Sequence, residues 1–307
     1  MTDALEFSVV VGLISGRKEA LRRCLRALQT QTVSSRMEII VPYDDPVAEV
    51  VSLQAEFPDV VFVRAEGLDT WTARAGASRE HHDTLRTIGI RAAKRDPIML
   101  TEDHAWAANT WCEEMCEALA RNPAAAAVGG AVECDSDSML KWAVWFCDFG
   151  RYQSPLPEGW SQFVSDSNVA YRRSALDRVE PVWRNDYHET AVHRAMVAAG
   201  FELHAAPRAI VWQSRRDLTL SAALRERFVW GRSFAGTRAR LVGSPKRWVY
   251  AFLSPLLPMV MSWRLWKVTV QRGTNSARFF KALPLIITLQ MMWAAGEFVG
   301  YVTADPG

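Results

Sequence analysis

Cysteine is scarce, with five residues in 307 (Cys24, Cys112, Cys116, Cys134 and Cys147). The number is odd and the spacings are not those of a zinc ribbon, so a disulfide framework is not expected and a reducing compartment is the natural home. The chain has no internal repeat and no low-complexity segment, and disorder is not the reading. Its start, Met-Thr-Asp-Ala-Leu-Glu, lacks the basic opening and cleavable apolar stretch of a secretion signal, so the body is expected in the cytoplasm. Long hydrophobic runs are missing too. The two uncharged stretches, Trp248 to Trp263 and Ala282 to Gly296, fall short of the roughly 20 apolar residues of a clean span. The first is also broken by Pro255 and Pro258, and the second holds Pro284 and Gln290.

The sequence does have enough apolar residues, 49% of the chain, to fill the core of one large α/β domain or two smaller ones. Net charge is only +2, but it is divided unevenly. From Pro207 to Lys281 there are 15 Lys or Arg against Asp217 and Glu226, and elsewhere 21 basic residues face 32 acidic ones. That asymmetry points to a negatively charged partner, either anionic lipid headgroups or phosphates. No nucleic-acid partner is expected.

The first half alternates β-branched runs with helical patterns. Ser8 to Val11, Met37 to Val41, Val60 to Val63 and Pro97 to Thr101 read as strands, with helices over Lys18 to Gln31 and His82 to Lys94. Such a rhythm makes a mostly parallel sheet flanked by helices, with its ligand beyond the carboxyl ends of the strands. Polar or small residues occur at three of those ends: Gly12 to Arg17, Asp44-Asp45 and Glu102-Asp103-His104. From Ala131 to Trp183 the chain is rich in Trp, Tyr, Pro and Ser and lacks clean periodicity. A helix from Asp186 to Ala199 ends at Gly200, Ala209 to Trp212 gives one more short strand, and Ser221 to Leu241 reads as a helix with five arginines, Arg225, Arg227, Arg232, Arg238 and Arg240. Basic residues on both flanks of the apolar tail argue for helices lying in a membrane interface or forming a shallow re-entrant hairpin. Three segments are therefore expected: 1–218 catalytic, 219–247 a basic helical linker, and 248–307 membrane-associated.

A carboxylate group at a strand end is a seat for Mg²⁺ or Mn²⁺, which take oxygen ligands and bridge phosphate oxygens. Asp103 is the first choice as ligand, and Glu102 and His104 could bind metal, ribose or diphosphate. Asp186, Glu189 and His193 share one helix face, and a carboxylate at Glu189 could take a proton from an attacking hydroxyl. His188 and His193 are five residues apart, roughly 140° around a helix, where a zinc protease needs four, so zinc hydrolysis is rejected.

The order of these features resembles the family-two inverting glycosyltransferases of the GT-A fold, over roughly residues 7 to 240. Ser8-Val-Val-Val-Gly-Leu-Ile-Ser15, with Ala20 to Leu25 and Gln29 to Thr32, is similar to the family's opening strand, nucleotide loop and first helix. Glu38 to Asp45 resembles its second strand with the nucleobase-binding acid. Arg86 to Ala93, then Ile98 to His104, resembles the stretch leading to its metal-binding Asp-x-Asp. Asp166 to Leu176 is similar to the acceptor-side segment, and His188-Glu189 to Gly200 stands where the family has Glu-Asp and a helix ending in Ala-Gly. The departures are Gly12 and Ser15 for proline and asparagine, Thr87 for asparagine, Glu-Asp-His for Asp-x-Asp, and His188-Glu189 for Glu-Asp. The Gln-x-x-Arg-Trp signature of processive synthases is absent; the Trp230 region reads Arg-Phe-Val-Trp-Gly-Arg.

The resemblance implies a GT-A fold and an inverting transfer of one sugar from a nucleotide-diphospho-sugar to a lipid-linked or membrane-proximal acceptor at the cytoplasmic membrane face. It implies that Gly12, Leu13, Ser15, Asp44 and Glu102 hold the donor and that Arg86 holds its diphosphate with a Mg²⁺ or Mn²⁺ at Asp103 and His104. Glu189 would be the base, with Asn168 and Trp212 on the acceptor side. The rivals are a nucleotidyltransferase and a membrane-bound scaffold with a degenerate transferase fold.

Overall fold

The computed structural model describes residues 6–14, 17–44, 48–66, 79–215 and 218–305. Its strands are β1 (Phe7–Gly12), β2 (Met37–Asp44), β3 (Val60–Ala65), β4 (Ile98–Glu102), β5 (Ala105–Ala107), β6 (Ala125–Cys134), β7 (Gly159–Trp160), β8 (Val169–Tyr171) and β9 (Glu202–Gln213). The helices up to residue 198 are α1 (Lys18–Gln29), α2 (Ala48–Val51), α3 (Arg79–Ala92), α4 (Trp111–Arg121), α5 (Met139–Phe149), α6 (Arg173–Arg178), α7 (Glu180–Trp183) and α8 (Glu189–Ala198). Four more follow: α9 (Leu220–Leu241), α10 (Ser244–Leu253), α11 (Leu257–Arg272) and α12 (Ser276–Thr303). The chain divides into two compact units, Met1–Glu133 with Ser154–Gln213, and Cys134–Gln153 with Ser214–Gly307.

The first unit is built on a nine-stranded sheet in the order β3-β2-β1-β4-β8-β6-β9-β5, with β7 on β9. Strands β3, β2, β1 and β4 are parallel; β8 then lies antiparallel between β4 and β6, so the sheet is mixed rather than parallel throughout. The parallel half forms where the sequence is most β-branched. Val9, Val10, Val11, Ile40, Ile98 and Leu100 are 0–1% exposed, and burying each such side chain contributes about 1.5–3 kcal/mol. The helix α3 lies close on this half: a Cβ on Gly89 would come within 2.3 Å of a Val10 methyl. No larger residue fits there without moving the helix.

The order matters for the site. From β1 the chain moves outward through β2 to β3, then returns to the other side of β1 as β4, so the direction of winding reverses between β1 and β4. The crevice beyond the carboxyl ends of two such strands is where open α/β sheets bind ligands. Here it is the level at which Gly12 pairs with Glu102.

The second unit is helical. Trp142, Ala143, Val144, Trp145 and Phe146 of α5 pack with Ala223 of α9 and with Phe279, Ala282, Ile286 and Leu289 of α12. Helices α9 and α12 approach to backbone contact at Gly231, Gly296 and Gly300; a Cβ on Gly296 would lie 2.1 Å from the Phe228 carbonyl oxygen. The 28-residue α12 is, among the described residues, the one helix long and apolar enough to cross a membrane by length and composition. It extends beyond the uncharged Ala282 to Gly296 stretch because Arg278, Lys281 and Glu297 are accommodated within its turns.

Candidate functional site

The carboxyl ends of β1 and β4 carry a continuous polar network. The Asp103 N–H donates to the Gly12 carbonyl at 3.0 Å, and the Ile14 N–H donates back to Asp103 Oδ1 at 3.1 Å. His104 Nδ1 lies 3.2 Å from the same carboxylate oxygen, and His82 Nδ1 lies 3.0 Å from the Leu13 carbonyl. These contacts hold the chain after β1 against the turn after β4. Asp103 is fully buried, while His104 and Glu102 are nearly so.

Arg86, in the middle of α3, is the centre of charge. Its guanidinium reaches Glu102 Oε1 at 2.7 Å, Asp166 Oδ2 at 3.2 Å and Asp83 Oδ1 at 3.3 Å. Burial opposes the Arg86 charge, but Asp166, Glu102 and Asp83 outweigh it and keep the proton on. The other oxygen of Glu102 accepts from Gln213 Nε2 at 3.0 Å. Burial nevertheless pushes the Glu102 carboxyl up, against the pull of His104 and Arg86. Among the described residues, and with Asp103 included, the crevice sets four carboxylates beside one guanidinium before either histidine is counted. Buried charge of one sign is costly unless a counter-ion meets it.

The residues singled out in the sequence are not all brought to one place. Gly12, Leu13, Arg86, Glu102, Asp103 and His104 belong to the network just described. Arg86 faces inward to carboxylates rather than outward as a diphosphate clamp. Asp44 ends β2, on the neighbouring strand at the same edge, and is buried. Ser15 lies outside the described residues.

Glu189 opens α8 with His188 as the residue before it, and is half-buried. The carboxylate stands at a helix N-terminus, where the dipole favours negative charge. The segment leading to it is tied to α3: the Tyr187 N–H donates to the Asp83 carbonyl at 3.1 Å, and Thr84 Oγ1 donates to Asp186 at 2.5 Å. Glu189 is thereby set two residues from a segment docked beside the Arg86 cluster. His193 points the other way, into the core. Its Nε2 lies 2.6 Å from the Tyr171 hydroxyl, which is in turn 2.6 Å from the Tyr187 hydroxyl. Desolvation lowers the His193 pKa to about 4, so it is neutral at pH 7.

Trp212 faces Trp106 across the β5–β9 pair, stacked at 6.5 Å between centroids, with the Arg23 guanidinium 3.3 Å from the Trp106 ring centre. It is half-buried and adjoins Gln213, which touches Glu102. Asn168 has no exposed surface. Its amide donates to the Ala131 and Ala209 carbonyls at 2.7 and 2.9 Å and accepts from Trp111 Nε1 at 2.7 Å. These are the bonds of a brace between β6, β8 and β9, and they leave no part of the side chain lining an open pocket.

The sequence reading missed Asp83, Asp166, Gln213 and His82 as members of the network. Asp83 carried a signal, three residues before Arg86 on one helix face. The others are brought in by the topology alone.

A sequence profile of "Glycosyl transferase family 2" matches residues 9–180, more than half of the chain. The chain belongs to glycosyl transferase family 2. No curated protein matches it. Among solved structures, residues 1–349 of Staphylococcus aureus TarS in complex with UDP-GlcNAc is similar, with TM-score 0.50, 8% identity, and coverage of 73% of this chain and 66% of that one. A second structure of S. aureus TarS has TM-score 0.47 and 9% identity over 73% of this chain and 39% of the other. The chain thus spans less than two thirds of either TarS chain. The first likeness shows a shared GT-A-like fold. Family membership points to glycosyl transfer rather than nucleotidyl transfer as the activity to propose.

Among the described residues no three His, Cys, Asp or Glu side chains cluster as a metal cage. The donor set at the crevice is a carboxylate and an imidazole side by side. That is too few for a protein-only site, and a Mg²⁺ or Mn²⁺ ion there would have to complete its shell with oxygens of a bound ligand.

Proposed function

We propose that this glycosyltransferase moves one sugar from a nucleotide-diphospho-sugar to an acceptor hydroxyl, with inversion at the anomeric carbon, at the cytoplasmic face of a membrane. The observation that carries the reading is the match to glycosyl transferase family 2 over residues 9–180, together with a carboxylate and an imidazole, Asp103 and His104, side by side at the β1–β4 crevice. Gly12, Leu13 and Asp44 would lie against nucleobase and ribose. Asp103 and His104 would hold the cation, which when bound supplies charge neutralisation to the departing diphosphate. Arg86 positions Glu102 and Asp166 rather than touching the donor.

Glu189 accepts the proton of the acceptor hydroxyl. The oxygen then bonds to the anomeric carbon from the face opposite the diphosphate, the carbon–oxygen bond to the diphosphate breaks, and the nucleoside diphosphate leaves. One displacement inverts the carbon. Such a base contributes about 10² to 10⁴ in rate. Transfer of single sugars follows from the missing Gln-x-x-Arg-Trp segment. TarS was solved with UDP-GlcNAc, so that compound is the first donor to try.

The C-terminal unit supports the location: from Arg227 to Gly296 it has 11 Lys or Arg and no Asp or Glu, and basic segments beside apolar helices favour an anionic cytoplasmic leaflet. The scaffold reading draws on one observation, that Asp103 has no exposed surface. A cation reaches it only if the Ile14 contact is given up.

The test is sugar transfer or donor hydrolysis by detergent-solubilised protein, with UDP-, GDP- and dTDP-sugars, Mn²⁺ or Mg²⁺, and membrane extract as acceptor source. Metal-dependent nucleotide release from one donor, lost in Glu189→Gln and Asp103→Asn, is expected. Silence with every donor while a nucleotide still binds would favour the scaffold.

A further inference from the structure

In the second unit, apolar side chains recur on the outside at helical spacing along α10 and α11. Trp248, Phe252, Leu256, Met259, Trp263 and Trp266 are 42–75% exposed and follow one another at intervals of three or four, straight through the short turn 254–256 between the helices. That is one face of a nearly continuous amphipathic rod. Exposed Lys246 stands at its start, and Arg264 and Lys267 stand beside its tryptophans, with Lys267 5.7 Å from the Trp263 ring centre. Tryptophan with lysine and arginine at the rim of an apolar face is the composition of a helix lying at headgroup level.

The same unit argues against α12 as a span. Helix α9 lies along α12 in the same direction, with the Phe228 carbonyl against Gly296 and the Arg232 carbonyl against Gly300. Backbone contact of this kind keeps the two helices at one depth. If α12 crossed the bilayer, α9 would cross beside it, taking exposed Arg225, which precedes the Phe228–Gly296 contact by less than a turn, into hydrocarbon, where such a charge is strongly disfavoured. The chain between them would also have to return. The α10–α11 rod that would have to return is uncharged only from Trp248 to Trp263, between Arg247 and Arg264, roughly 24 Å against a hydrocarbon core of about 30 Å.

We infer that the protein meets an anionic membrane through the α10–α11 face, lying in the interface with α12 held inside the helical unit and not crossing. The inference rests on the membrane reading proposed above and replaces its open choice between crossing and lying flat. The occupant is the lipid surface because every charged residue along α10 and α11 is basic, whereas a second copy with the same basic rim would be repelled.

The experiment uses the full chain and vesicles of phosphatidylcholine alone or mixed equally with phosphatidylglycerol. Wild type is expected to float with the anionic vesicles, and Phe252→Glu with Met259→Glu to bind at least about tenfold more weakly. Met291→Glu, on the exposed side of α12, is expected to bind as wild type. Both sets of positions are exposed, and unchanged thermal melts establish that the variants fold. Epitope tags at the two ends should be digested together in sealed membrane vesicles. If wild type floats with neither vesicle, the membrane reading itself fails. If it floats but only Met291→Glu releases it, or one tag alone is protected, α12 crosses and the inference is overturned. The inference also fails if the double variant converts a dimer to a monomer without changing vesicle binding.

Discussion

In the first unit Arg86 is enclosed by three carboxylates, and Asp103 adds a fourth to the same crevice; in the second, Arg227 is equally buried but meets one, Asp148, at 2.6 Å. The two side chains are 5% and 4% exposed, so solvent access does not distinguish them. The surroundings do. Arg86 sits among carboxylates at a sheet edge, the place where the function proposed above puts a cation. Arg227 sits in a helical unit whose charge is basic and whose outer face is apolar, an environment that invites an anionic surface. On the function proposed above, the division of charge seen along the sequence would be a division of tasks between two units, one for a phosphate-bearing donor with its cation and the other for the lipid surface.

The comparison can be broken most severely at the edge of the first unit. Replacing Glu189 with Gln is expected to lower the transfer rate by about 10² to 10⁴ while leaving nucleotide affinity unchanged, as measured by single-turnover kinetics and titration. A loss confined to affinity would show that Glu189 binds the donor instead. Next comes Arg86→Met, which strands Glu102 and Asp166 and should destabilise the protein by roughly 3–5 kcal/mol in chemical denaturation.

His193 sharpens the comparison through pH. Its unfolded form takes up a proton near pH 6.5, whereas the buried ring resists until about 4. Between those values the unfolded state binds more protons, so stability falls as pH is lowered through this window, by roughly 3 kcal/mol at full extent. His193→Gln should flatten that slope in melts taken across the window; an unchanged slope would place the titration elsewhere. The smallest effect is expected for Arg227→Met, about 1–3 kcal/mol, because Asp148 is 19% exposed and can be rehydrated. If Arg227→Met costs as much as Arg86→Met, the contrast between the two settings is wrong.

Much of this organisation was legible before the structure. The four parallel strands, α1, α3, α8 and α9 all announce themselves by β-branched runs or helical periodicity, and the polar residues after β1 and β4 mark the crevice. What was hidden has physical causes. β6 is Ala-Ala-Ala-Val-Gly-Gly-Ala-Val-Glu-Cys, residues of poor strand propensity, and small because Gly130 must admit the Ala209 carbonyl within 1.8 Å of where its Cβ would be. The early part of β9 runs through His204-Ala-Ala-Pro207 and contains no β-branched residue, so only its later stretch, Ala209 to Trp212, read as strand. α5 is buried on nearly every side and so shows no amphipathic period. Asn168 looks like a pocket residue in the sequence because its partners, Ala131, Ala209 and Trp111, are distant along the chain and only the fold joins them.

The most direct measurement of the central claim is calorimetric titration of UDP, GDP and dTDP into the protein with and without Mn²⁺, for wild type, Asp103→Asn and Glu189→Gln. The account predicts that one nucleoside diphosphate binds, that Mn²⁺ tightens it, and that Asp103→Asn removes the metal dependence while Glu189→Gln retains it. Binding that ignores both Mn²⁺ and Asp103 would contradict a cation-assisted donor site at the β1–β4 crevice.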